Sequence, residues 1–179
     1  MAICKAATEC VPGRGSRAEE KALRTAKAIL GGAMTPKEGD KRDRINVLFL
    51  CRHNAVRSQM AEALLRARFS CRYEPASAGI APSGIHSVAI AVLEEIGVST
   101  LGLRSKHVEE YLGRSFDVVA TVCGQDEPSC PFFPGGRQIH RAFEDPSAAI
   151  GPEEDRIAAF RRTRDEIDSW IRAAFGAGC

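Results

Sequence analysis

The stretch from Ile45 to Glu62 constrains the fold of this chain more than any other. Residues 45–50 are an apolar run typical of a buried strand, and an amphipathic helix pattern begins near Arg57. Cys51 opens the turn between the two elements and Arg57 closes it, with five residues in between. A buried strand that passes through a short turn into a helix is the building unit of an α/β fold with a parallel sheet.

The turn itself has the features of an anion-binding loop. It comprises Arg52, His53, Asn54, Ala55, Val56, Arg57 and Ser58. Backbone N–H groups of such a turn can curl around an anion, and the N-terminus of the following helix adds partial positive charge. Arg57 offers a planar fork for two oxygens of a tetrahedral oxyanion. In this positive field, Cys51 is expected to attack as a thiolate.

Two other side chains of the turn suit this chemistry. Asn54 is one of the few residue types besides glycine that tolerate a left-handed backbone conformation, and Ser58 can donate a hydrogen bond to a thiolate. The alternative is a core cysteine and a surface arginine in an ordinary turn. The strand, the spacing and the asparagine together favour a reactive site.

Composition indicates a soluble protein with enough chain for a real core: 179 residues, 44% hydrophobic and 27% charged. The net charge of +2 gives no indication of a nucleic-acid or membrane partner. Because no apolar run has the length of a membrane span and the start lacks a secretory segment, we expect a cytoplasmic protein. In that reducing compartment, the seven cysteines are expected to be free, catalytic or metal-binding thiols.

Residues 1–44 differ from the rest and hold ten Lys/Arg and six Asp/Glu. Ser16 and Glu19 form a candidate capping box, and a short apolar stripe follows before Gly31 and Gly32. We interpret residues 1–44 as a helical extension and linker, with a disordered tail as the alternative. Residues 45–179 are interpreted as the catalytic domain.

From Ile45 onward, strand and helix patterns alternate. The predicted strands are 45–50, 72–77, 116–122 and 138–142, and the predicted helices are 57–69, 85–96, 104–112 and 152–175. This alternation predicts a three-layer α/β fold in which helices flank a four-stranded parallel sheet.

Ligands of such folds bind beyond the carboxyl ends of the strands. Cys51, Cys123 and Asp145 each follow a predicted strand, so all three should lie at the same edge of the sheet. Asp145 precedes a proline that restricts its backbone, and it is our candidate for the acid that protonates a leaving oxygen. An Asp-Pro pair taken alone is more often only a turn.

Cys123 and Cys130 lie seven positions apart, which is neither a zinc nor a thioredoxin-type spacing. On a continuous helix they would be roughly 10 Å apart along the axis, whereas a disulfide needs Cα atoms within about 7 Å. If the two ever bond, the segment between them must therefore unwind. The alternative is a pair of inert thiols beside a loop.

The CRHNAVRSQMAE motif that begins at Cys51 resembles the thioredoxin-coupled arsenate reductases, which share the low-molecular-weight protein tyrosine phosphatase fold. The SAGI run at Ser77, the pair Cys123 and Cys130, and Asp145 with its proline carry the same resemblance, over about residues 45–175. Residues 1–44 lie outside it.

The resemblance implies a relay of three thiols. Cys51 would attack arsenate held by the loop and Arg57, Cys123 would attack Cys51 and release arsenite, and Cys130 would then take over the disulfide. Phosphate would compete as an oxyanion. The protein needs no cofactor, but it needs an external donor; thioredoxin is favoured over glutaredoxin with glutathione or mycothiol. We expect a monomer.

Some members of this family hold K⁺ near the loop. Asn54, Glu62 and Ser77 match that cation site, but His107 stands where those members have an Asp. We therefore expect no resident metal, with K⁺ at these three residues as the open alternative.

Two other functions remain open. A low-molecular-weight tyrosine phosphatase would use the same Cys51, Arg57 and Asp145 to hydrolyse phosphate monoesters through a phosphocysteine. The sequence Ser147-Ala148-Ala149 argues against it because it offers no aromatic ring to a substrate, as does Gln59 where those phosphatases usually have a proline. A non-catalytic thiol sensor is the third hypothesis, and it would not need Arg57 or Asp145.

Overall fold

The computed structural model describes residues 44–124 and 131–176. These two ranges take in most of the predicted catalytic domain. The predicted N-terminal extension and Cys130 lie outside the described residues.

Four parallel strands form the sheet: β1 (Ile45–Leu50), β2 (Tyr73–Ala78), β3 (Val118–Thr121) and β4 (Arg137–His140). Their order is β2-β1-β3-β4, which places β1 in the interior of the sheet. Residues 47–50 of β1 are fully buried, as expected for an apolar strand covered on both faces. The predicted four-stranded parallel α/β fold is confirmed.

Three α-helices and two short 3₁₀ turns complete the described fold. The helices are α1 (Arg57–Phe69), α2 (Ser87–Glu94) and α3 (Glu153–Phe175), and the 3₁₀ turns are Val108–Tyr111 and Pro146–Ala148. The helix predicted at 104–112 is reduced to the first of these turns. Its beginning is held extended because Lys106 O accepts a hydrogen bond from Gly79 N at 2.9 Å and Lys106 N donates to Asn54 Oδ1 at 2.7 Å.

The two faces of the sheet are covered unequally. Val47 and Phe49 belong to a large apolar cluster with the three α-helices. Leu48 and Leu50 point to the opposite face, because side chains alternate along a strand, and belong to a smaller cluster with Tyr111 of the 3₁₀ turn. The layer that covers the Leu48 and Leu50 side of the sheet is therefore thinner than the layer formed by the α-helices.

Two expectations from composition can be compared with the structure. None of the helices in the described ranges is long and apolar enough to cross a membrane. Cys51 carries a free thiol, whereas Cys71 is disulfide-bonded. The expectation that the cysteines are free thiols is therefore wrong for Cys71.

Asp168 ties α3 to α1 through Arg68, whose Nε lies 3.0 Å from Asp168 Oδ1. Burial alone would raise the pKa of Asp168, but hydrogen bonds from Arg68 and Arg172 outweigh burial and hold the pKa below its ordinary value of 3.8. The stabilisation is therefore present above that value and is lost as the pH falls through the folded-state pKa. We expect Asp168→Asn to lower the free energy of unfolding by about 1 kcal/mol at pH 7. Urea unfolding of both proteins at pH 7 and pH 3 checks this, and an equal difference at both pH values would contradict it.

Candidate active site

The nucleophile candidate lies where β1 ends. Cys51 is 2% exposed, and its N–H donates to Ala78 O of β2 at 3.3 Å. Helix α1 begins six residues later at Arg57, and Val56 at its N-cap position provides no side-chain cap. The amide groups of the first helical turn therefore meet no side-chain acceptor from the N-cap, which suits them to an anion at the loop.

The loop is anchored on its outer side by the segment that follows β2. The N–H groups of Ala81, Ser83 and His86 donate to the carbonyls of Arg52, His53 and Ala55 at 3.0, 3.2 and 3.0 Å. Since these three carbonyls are held from outside, the loop can turn its own N–H groups towards its centre.

Gly79 packs directly against the loop backbone. A Cβ atom at this position would lie 2.6 Å from Arg52 O and 2.9 Å from both Asn54 N and Cys51 O. These atoms are backbone atoms, so the loop would have to move to admit any side chain. Only glycine fits where the loop and the end of β2 meet.

Asn54 holds the loop in its curled form. Among the described residues it is the only non-glycine residue with a positive φ, at 46°, and it is fully buried. Its Nδ2 donates to Ser58 Oγ and to Ser77 Oγ, both at 2.8 Å. Its Oδ1 accepts from Lys106 N at 2.7 Å and from Gln59 Nε2 at 2.9 Å. Every hydrogen-bonding direction of the amide is thus used.

Ser58 connects Asn54 to the nucleophile candidate. The Ser58 Oγ lies 2.9 Å from Cys51 Sγ, and both groups are buried. Ser58 Oγ accepts a hydrogen bond from the Asn54 amide, and its own hydrogen can be donated to the sulfur.

Arg57 and Asp145 face each other across the same site. Arg57 is 2% exposed, and its Nη2 lies 2.8 Å from Asp145 Oδ2. Arg57 Nη1 donates to Phe143 O at 3.3 Å, and Asp145 Oδ1 accepts from Ser147 N and Oγ at 3.1 and 2.6 Å. Both side chains are therefore oriented before any ligand arrives.

A cavity of about 130 Å³ joins these groups. It is lined by Cys51, His53, Ala55, Val56, Arg57, Ser83, His86, Asp145 and Ser147. The structure thus brings Cys51, Arg57 and Asp145 together in one cavity. None of the described lining residues is Phe, Tyr or Trp, so none of them offers a ring that could stack on an aromatic group.

Cys123 lies two residues beyond β3, fully buried in the same apolar cluster as Cys51. The next residue, Gly124, passes close to the site, since a Cβ atom built on it would lie 3.8 Å from Arg57 Nη1. The position of Cys130 is not described, so the predicted pairing of Cys123 with Cys130 stays a prediction.

Sequence reasoning missed one residue and underrated another. Gln59 stands where phosphatases of this fold usually have a proline, and its Nε2 donates to Asn54 O at 3.1 Å and to Arg104 O at 2.7 Å, which joins the loop to the segment before the 3₁₀ turn. Lys106 was overlooked. Its signal was present in the sequence, because Lys106 is the only lysine after residue 44 and the other long basic side chains there are arginines.

The residues that match the K⁺ site of the resembling family lie together but do not fit a resident cation. Asn54 presents its nitrogen to Ser58 and Ser77, and its oxygen is taken up by two donors. The Lys106 ammonium lies 3.1 Å from Glu62 Oε2. His107 Nε2 instead lies 3.0 Å from Ile80 O. Within residues 44–124 and 131–176, no group of three or more His, Cys, Asp and Glu side chains could hold a metal ion.

The described residues form a four-stranded parallel α/β sheet in which a loop from Cys51 to Arg57 joins the end of β1 to the start of α1. This chain belongs to the low molecular weight phosphotyrosine protein phosphatase family, whose family model matches residues 46–175.

Individual relatives within that family are arsenate reductases, which confirms the resemblance. The arsenate reductase of Halalkalibacterium halodurans is 35% identical over 127 residues, which cover 70% of this chain and 91% of that protein. The structure of an arsenate reductase from Archaeoglobus fulgidus matches with a TM-score of 0.62 and 28% identity, over 73% of this chain and 98% of that one. A thioredoxin-dependent arsenate reductase of Corynebacterium glutamicum matches with a TM-score of 0.58 and 28% identity, over 88% of this chain and 70% of that one.

Proposed function

We propose that this protein is an arsenate reductase that uses Cys51, Cys123 and Cys130 in a thiol–disulfide relay re-reduced by thioredoxin in the cytoplasm. The observation that carries the proposal is the single cavity in which Cys51, Arg57 and Asp145 meet, with Cys123 buried in the same cluster as Cys51. We propose arsenate as the substrate because the relatives of this chain include arsenate reductases.

In the first step, the Cys51 thiolate attacks the arsenic atom of arsenate. The loop N–H groups, the N-terminus of α1 and the fork of Arg57 hold the remaining oxygens. Asp145 in its protonated form donates its proton to the leaving oxygen, which departs as water. The bound oxyanion competes with Asp145 for Arg57, so its arrival weakens the Arg57–Asp145 pair and releases the carboxyl group for this role.

In the second step, the Cys123 thiolate attacks Cys51 Sγ. A disulfide forms between the two cysteines, and the electron pair of the sulfur–arsenic bond passes to arsenic, which leaves as arsenite. Two thiols are thereby oxidised and As(V) is reduced to As(III). Cys130 then attacks Cys123, which restores the Cys51 thiolate and leaves a disulfide between Cys123 and Cys130 for the external dithiol.

The test is a coupled assay with the full chain, thioredoxin, thioredoxin reductase and NADPH. We expect NADPH oxidation that depends on arsenate and does not occur with phosphate in its place. Parallel reactions with glutaredoxin and glutathione, or with mycothiol and its reductase, identify the donor. If turnover occurs only with one of these two systems, that system replaces thioredoxin as the donor. If arsenate-dependent turnover is absent with every donor, the proposal is overturned.

Phosphate monoester hydrolysis is the second candidate function, and membership of the phosphatase family favours it. Cys51, Arg57 and Asp145 are enough for a phosphocysteine and its hydrolysis, with no need for Cys123 or Cys130. Because no lining residue in the described part of the chain is Phe, Tyr or Trp, we expect slow hydrolysis of aryl esters. Hydrolysis of p-nitrophenyl phosphate that is faster than arsenate reduction would favour this function.

A further inference from the structure

We infer that the Lys106 ammonium group, through its buried ion pair with Glu62, positions the chain of hydrogen-bonded side chains that ends at Ser58 and Cys51. Lys106 is thus a positioning residue that takes the place of a bound monovalent cation. The inference rests on Cys51 being the nucleophile proposed above, but it does not depend on the identity of the oxyanion.

The charge pair is buried on both sides. The side chains of Lys106 and Glu62 are 6% and 5% exposed, and Lys106 Nζ lies 3.1 Å from Glu62 Oε2. Lys106 Nζ also donates to Arg104 O at 3.0 Å. An ionised carboxylate at such depth requires a cation, because burial strongly disfavours an unpaired charge.

A continuous chain of hydrogen bonds runs from this pair to the nucleophile. Ser77 Oγ donates to Glu62 Oε2 at 2.6 Å, and Asn54 Nδ2 donates to Ser77 Oγ at 2.8 Å. The same Asn54 Nδ2 donates to Ser58 Oγ, which lies 2.9 Å from Cys51 Sγ. Three buried polar side chains therefore separate the carboxylate from the sulfur.

The direction of each bond follows from the carboxylate. An ionised Glu62 can only accept, so the Ser77 hydrogen points to it and the Ser77 oxygen receives the Asn54 amide hydrogen. This fixes the amide so that it also donates to Ser58, whose own hydrogen can then be donated to Cys51.

Arg66, one helical turn after Glu62 on α1, forms a second ion pair with this carboxylate, at its Oε1 atom. Its side chain is 38% exposed, so solvent screens its charge, whereas Lys106 is enclosed and binds the oxygen that receives Ser77. Lys106 also donates its backbone N–H to Asn54 Oδ1. Residue 106 therefore contacts both the carboxylate that begins the chain of hydrogen bonds and the amide at its centre.

The experiment measures the rate at which iodoacetamide alkylates Cys51, followed by mass spectrometry of its peptide, across a range of pH. Because only the thiolate reacts, we expect Lys106→Met to slow alkylation about tenfold near neutral pH and to move the pH profile to higher pH. When KCl replaces tetramethylammonium chloride at equal ionic strength, Lys106→Met should regain much of its rate, because K⁺ can then bind beside Glu62. Arg161→Met, which breaks an exposed pair with Glu95, is the matched control and should not change the rate.

Two further measurements keep the inference testable if Lys106→Met does not fold. The double variant Glu62→Gln, Lys106→Met buries no charge at this position, and it should react slowly and show no response to K⁺. The wild-type protein should react at the same rate in K⁺ and in tetramethylammonium. Wild-type rates in either variant, or a K⁺ requirement of the wild-type protein, would overturn the inference. Slow, phosphate-insensitive alkylation of wild-type Cys51 would instead count against Cys51 as the nucleophile of the proposed function.

Discussion

Cys123→Ser is expected to abolish arsenate reduction while Cys51-dependent hydrolysis of p-nitrophenyl phosphate survives, and Cys51→Ser is expected to abolish both. The reason is the division of labour between the two thiols. Of these two thiols, only Cys51 lines the cavity that also contains Arg57 and Asp145, whereas Cys123 lies beyond β3, buried in the apolar cluster. Attack on an oxyanion needs only the first thiol. Reduction of arsenic from As(V) to As(III) needs two electrons, and the two thiols supply them by forming a disulfide.

The measurements are steady-state rates of both reactions with the purified variants. Cys130→Ser should complete a single turnover and then accumulate a Cys51–Cys123 disulfide that peptide mapping detects. Ser99→Ala, at an exposed position outside the cavity, serves as the control and should behave as the wild-type protein. Arsenate reduction that persists in Cys123→Ser would refute the relay.

Arg57→Lys is expected to lower the rates of both reactions by at least about 10³-fold, although it keeps the positive charge. The guanidinium group reaches Phe143 O through Nη1 and Asp145 Oδ2 through Nη2, at 3.3 and 2.8 Å. A planar fork can grip two oxygens of a tetrahedral oxyanion at once, whereas an ammonium group acts as a point charge. The substitution therefore removes both the alignment of the substrate and the restraint on the candidate acid.

Arg68→Lys is the matched control for this substitution. Arg68 also presents two nitrogens to one carboxylate, that of Asp168, but the pair joins α1 to α3 away from the cavity. We expect Arg68→Lys to lower the unfolding midpoint in urea and to leave kcat unchanged. Comparable kcat losses in the two variants would mean that Arg57 acts through stability and not through the oxyanion.

Much of the fold could be predicted because local patterns decided it. The bounds of β1 and α1 match the predicted 45–50 and 57–69 residue for residue, since a buried apolar run and a helical period leave little choice of register. The segment 104–112 could not be predicted in this way. Its local pattern favours a helix, but backbone hydrogen bonds to Gly79 and Asn54 hold its first residues extended.

The candidate site shows the same division. Cys51, Arg57 and Asp145 were identified because they are chemically distinctive and follow strands whose carboxyl ends share one edge. Lys106 could not be identified in this way, because it is 44 residues from Glu62 in sequence. The family resemblance pointed to its neighbour His107 instead. The contribution of Gly79 was equally hidden, since it depends on how closely a second strand end approaches the loop.

The sequence by itself determined the parallel α/β architecture and the loop between β1 and α1, and it supplied the candidate reactive groups, because strand periodicity, spacing and side-chain chemistry are all local properties. Only the tertiary structure decided which groups surround the loop. The Arg57–Asp145 pair, the glycine beneath the loop and the buried ammonium beside Glu62 each join residues that are far apart along the chain. Such contacts are set by packing and by the need to satisfy every buried charge and hydrogen bond, and neither requirement leaves a periodic signal in the sequence.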